Sequence, residues 1–156
     1  MGFEKVTVWF INSFDSDVEK LRKKYPLGDD DLYDFKVETV LLKIFTGVFH
    51  GRSKGISNGF GYQLQTLSNF LPNEERTIVI QKFEKGYFKA FLKTMEESRD
   101  MMSHNEAIAH IFIMRCLHIF NFDFKDEVGS FNAYKTVEEW VYDVISNVEG
   151  IIEEIQ

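Results

Sequence analysis

From His104 to Phe124 the chain reads HNEAIAHIFIMRCLHIFNFDF, and almost every position around a helical wheel is apolar. A helix without a polar side has to be enclosed by other elements. Glu106, His110, Arg115 and His118 interrupt the run, and it is short for a membrane span. It is therefore read as the buried central helix, over 104–122, of a soluble bundle.

The other segments follow helical spacing with recognisable starts and stops. Ser16 and Glu19 form a capping box ahead of Val18, Leu21 and Tyr25, and Pro26 with Gly28 ends that helix. Asp29, Asp30 and Asp31 place negative charge at the start of a second helix, whose stripe is Val37, Val40, Leu41, Ile44, Phe45 and Val48. Five of the ten glycines fall between Gly47 and Gly61, which predicts a loop from about His50 to Gly59. A short helix over 62–71 ends at Pro72. Asn73 starts the next, with Ile80, Phe83, Tyr87, Phe91 and Met95 in line. Ser103 with Glu106 caps the central helix. Thr136 with Glu139 is a third capping box, so the last helix is expected over 137–155, with 123–135 as loop.

The β-branched and aromatic run 6–11 is the best strand signal, with 77–80 as its sole candidate partner; a short N-terminal β element is carried beside a helical or extended reading. The fold class is thus mostly α: five or six helices in one domain over 1–156.

Sixteen Phe, six Tyr and two Trp supply a large core. The single Cys116 excludes a disulfide framework, and a cytoplasmic setting is expected. Charge refines the picture further. The net −7 is carried entirely by the segment 123–156, which holds nine acids against Lys125 and Lys135; the other 122 residues balance at sixteen of each sign. Such a distribution argues against bulk attraction to nucleic acid and allows a basic protein partner.

Candidate chemistry is sparse. The outer side of the last helix, Glu138, Glu139, Asp143, Glu149 and Glu153, is the candidate partner-binding face. On it rests the first reading, a non-enzymatic binding or inhibitor module of the toxin-immunity or anti-defence kind. The loop GRSKGISNGFG offers Arg52 and Lys54 as a second place for a ligand, although it lacks phosphate-loop spacing. Glu106, His110 and His118 lie along one side of the central helix, but no second such pair exists to complete a metal site; no metal or cofactor is assigned.

Arg99-Asp100-Met101-Met102-Ser103-His104 gives the second reading. Arg, a polar neighbour and a His five positions on resemble the active-site motif of the HEPN superfamily, all-α metal-independent ribonucleases and toxins. That resemblance covers six residues. It implies Arg99 as phosphate clamp, Asp100 as polar companion, His104 as acid/base, and a site formed at a homodimer interface. Lys82, Lys85, Lys89 and Lys93 form a basic stripe that could follow a nucleic-acid backbone or stand as a solvated face.

Overall fold

A computed structural model describes residues 9–10, 12–51, 81, 83–120 and 127–154. Among these there are six α-helices and no strand: α1 Phe14–Arg22, α2 Leu32–Gly51, α3 Ala90–Glu97, α4 His104–Arg115, α5 Leu117–Phe120 and α6 Glu127–Glu154. A 3-10 turn, Asp29–Asp31, leads into α2, and a π-helical stretch, Glu84–Lys89, leads into α3.

Helical backbone is already present at Trp9 and Phe10, and the Ser13 N–H donates to the Trp9 carbonyl at 2.8 Å. The described end of the predicted strand is therefore helical; 6–8, Ile11 and 77–80 lie outside the described residues. Ser16 does not cap α1, because the helix is under way before it. Ser13 precedes the helix, but its hydroxyl accepts from Lys43 Nζ at 2.7 Å and makes no cap.

The second helix is enclosed even more fully than the predicted central one. Every residue from Glu38 to Val48 is buried, including Thr39, Lys43 and Thr46. By comparison α4 buries Ala107–Ala109 and Ile111–Ile113 but leaves Met114 52% exposed. Its start is as read: the Ser103 hydroxyl accepts from the Glu106 N–H at 3.1 Å. Its end differs. The expected single helix breaks at Cys116, whose backbone (φ −100°, ψ 11°) leaves the helical region, and α5 continues beyond it.

The last helix also differs from expectation. It starts at Glu127, spans 28 residues and is about 42 Å long. Thr136 is interior to it, and its hydroxyl bonds back to the Asn132 carbonyl at 2.9 Å. A capping-box sequence marks a helix start only where the preceding residues leave the helix, and 127–135 stays helical. Val137, Trp140, Val141, Val144, Ile145, Val148 and Ile152 form its buried side, against α2 and α4.

Two aromatic clusters fill the core. Phe35 meets Phe14, Phe112, Phe120 and Trp140 at 5.3–6.0 Å between ring centroids, tying α1, α4, α5 and α6 to α2. Phe45 meets Phe83, Tyr87, Phe88 and Phe91 and binds the α3 arm to the same helix. No helix among the described residues is long and apolar enough to cross a membrane.

Candidate functional site

Of the five carboxylates named on the last helix, three lie away from its buried side and two flank it. Glu139, Asp143 and Glu153 are exposed; Glu138 and Glu149 are half-buried. Glu138 lies 4.0 Å from Lys135 Nζ. Burial, then the neighbouring Glu138 carboxylate, holds the Tyr134 and Tyr142 hydroxyls above their ordinary value. Glu139 and Asp143 line a groove together with Lys20 of α1 and with Lys23 and Lys24 just beyond its end.

Glu149 is engaged by partners from two other helices. Its Oε1 accepts from Asn105 Nδ2 at 2.7 Å and lies 3.1 Å from His50 Nε2, which is 3.0 Å from Asn105 Oδ1. This network joins the ends of α2 and α6 to the start of α4.

The HEPN-like residues stand beside the same end of the bundle. After α3, the Arg99 N–H donates to Glu96 and the Asp100 N–H to Met95, the paired bonds of a Schellman ending. That ending requires left-handed backbone, usually glycine's role, yet Arg99 has φ 53° and Asp100 φ 59°. Both are exposed. His104 is the first residue of α4; its exposed ring lies 4.9 Å from that of Phe49 and 5.9 Å from that of Phe91. Arg52 and Lys54 lie outside the described residues, as does Lys82. Lys85, Lys89 and Lys93 are exposed, and Lys93 lies 3.8 Å from Glu97. Glu106 and His118 are exposed and His110 half-buried. Among the described residues, no three His, Cys, Asp or Glu side chains gather where one metal ion could bind.

Two buried ion pairs escaped sequence reasoning. Lys43 Nζ lies 2.6 Å from Asp17 Oδ2. Arg115 donates from Nε and Nη2 to the two oxygens of Glu38 at 2.8 and 3.0 Å, while its guanidinium covers the Tyr87 ring at 5.1 Å. Gly86 makes room for it: a side-chain carbon there would overlap Arg115 Nη1. Helical spacing flagged Tyr87 as core, but nothing local in the sequence signalled its charged neighbours.

Compared with known protein families, curated proteins and solved structures, the chain matches none.

Proposed function

We propose that this chain is a non-enzymatic protein-binding or inhibitor module, of the toxin-immunity or anti-defence kind, that meets a basic partner through the outer side of α6. What supports the reading is the placement of Glu139, Asp143, Glu153 and Glu154, all exposed on one long helix whose opposite side is packed into the core. Carboxylates held on a rigid element attract a cationic surface over a Debye length and orient it before contact. The lone buried thiol of Cys116 fits a reducing compartment such as the cytosol.

The test is a triple reversal, Glu139→Lys, Asp143→Lys and Glu153→Lys, with affinity for a captured partner measured at low and high salt. Glu149 is left intact because it holds three helix ends. The expected loss is about tenfold at low salt, from three rim contacts of roughly 0.5 kcal/mol each. Unchanged affinity with unchanged salt dependence removes the reading.

One observation favours a second reading, a metal-independent ribonuclease of HEPN type, completed in that family by a second copy. Consecutive non-glycine residues in left-handed backbone are uncommon, and such strain gathers at working sites. Arg99 and Asp100 carry it immediately before the exposed His104. That reading predicts RNA cleavage in EDTA, abolished by Arg99→Ala and by His104→Ala. A folded wild type that leaves RNA intact rejects it.

A further inference from the structure

The groove between α1 and α6 holds both signs of charge. Lys20, Lys23 and Lys24 line it with Glu139 and Asp143 around a volume of about 240 Å³, together with Leu21 and Trp140. All five charged residues are exposed, and among the described residues none forms an ion pair across the gap. Core contacts, not these charges, set the width of the groove. Trp140 Nε1–H donates to the Asp17 carbonyl at 2.8 Å, and the Asp17 carboxylate is held by buried Lys43. The lysines and carboxylates thus line the groove without pairing with one another.

We propose that this groove takes a partner segment carrying a cation and an anion side by side, rather than a uniformly basic surface. The inference rests on the protein-binding reading above and narrows its partner. The segment's cation lies against Glu139 and Asp143, and its anion against the three lysines. Because the walls are already in place, binding needs no rearrangement of the groove. A uniformly basic segment meets like charge at the three lysines and is disfavoured there.

The test titrates the isotope-labelled full chain with three blocked tetrapeptides, one alternating Lys and Glu, one all Lys and one all Glu. The reporter is the Trp140 indole N–H resonance, distinguished from that of Trp9 by Trp9→Phe. The alternating peptide is expected to bind at the groove about fivefold more tightly than the all-Lys peptide. Replacing Lys20, Lys23 and Lys24 with Glu should invert that order while the rest of the spectrum stays that of the folded chain. An all-Lys peptide that binds the wild-type groove as tightly as the alternating one overturns the inference. If the all-Lys peptide moves only resonances near Glu153, the inference fails and the acidic-face reading stands. If no peptide moves either region, both fail.

Discussion

Three acceptors converge on the Lys43 ammonium: the Asp17 carboxylate at 2.6 Å, the Ser13 hydroxyl at 2.7 Å and the Phe10 carbonyl at 3.3 Å. Each of its three protons thus has a partner, as a cation with a 1% exposed side chain requires. Asp17→Asn leaves that charge uncompensated and is expected to lower stability by about 3 kcal/mol in urea unfolding. Asp17→Asn combined with Lys43→Met should recover most of the loss. Burial holds the Lys43 amine below its ordinary 10.5, against the pull of Asp17. Between that lowered value and 10.5 the unfolded chain binds a proton that the folded chain has released, so this group alone makes stability rise with pH. Tyr87 acts in the opposite sense. Its buried hydroxyl has no hydrogen-bond partner among the described residues, and burial, followed by the Glu38 charge, holds it well above 10.0. Above pH 10 the unfolded tyrosine loses its proton while the folded one keeps it, so stability falls. Tyr87→Phe should flatten that alkaline fall by up to about 1.4 kcal/mol per pH unit, and an unchanged slope would assign the fall elsewhere. The charged partners of these groups were not legible in the sequence. Asp17 and Lys43 are 26 residues apart, and Glu38 and Arg115 are 77 apart. Reading each charge as solvent-facing, the default for an isolated Lys or Glu, conceals such partners.

Between α3 and α4, a helix ending that favours glycine is built from Arg99 and Asp100. Arg99→Gly relieves the left-handed strain of one residue, less the freedom that glycine gains in the unfolded chain. The expected gain is roughly 0.5–1 kcal/mol, read from the thermal midpoint. A loss instead would show that the Arg99 side chain makes a stabilising contact. Elements were more legible than residues, for local reasons. Ser103 with Glu106 marked the start of α4, because the chain just before it is in a non-helical turn. Thr136 with Glu139 is the same pattern and misled, because 127–135 continues as helix with its apolar Val128 and Phe131 facing outward. The π-helical stretch at Glu84–Lys89 had no periodic signature, since Phe83, Tyr87 and Phe91 satisfy ordinary helical spacing. Its glycine becomes intelligible only with the Arg115 guanidinium beside it.

At the scale of the molecule, the mostly α class followed from spacing alone, and the pairing of helices did not. Apolar stripes state that a helix is buried without naming what buries it, and so the stripe of α2 marks one side although α1, α4 and α6 all pack against it. The candidate site was legible only in part. The carboxylate face could be drawn from the 3.6-residue repeat, whereas the recruitment of Glu149 by His50 and Asn105, and the lysines that share a groove with Glu139, needed the fold. The enclosure of Lys43 has a use beyond energetics. An amine-acylating reagent reaches a lysine only when solvent does, so exposed Lys20, Lys85 and Lys89 should modify at once in the native chain. Lys43 should wait for the packing of α1 on α2 to come apart. Tracked by mass spectrometry, its slow labelling becomes a built-in clock for opening of the unaltered protein, and labelling as fast as that of Lys20 would mean that the amine is not sealed inside.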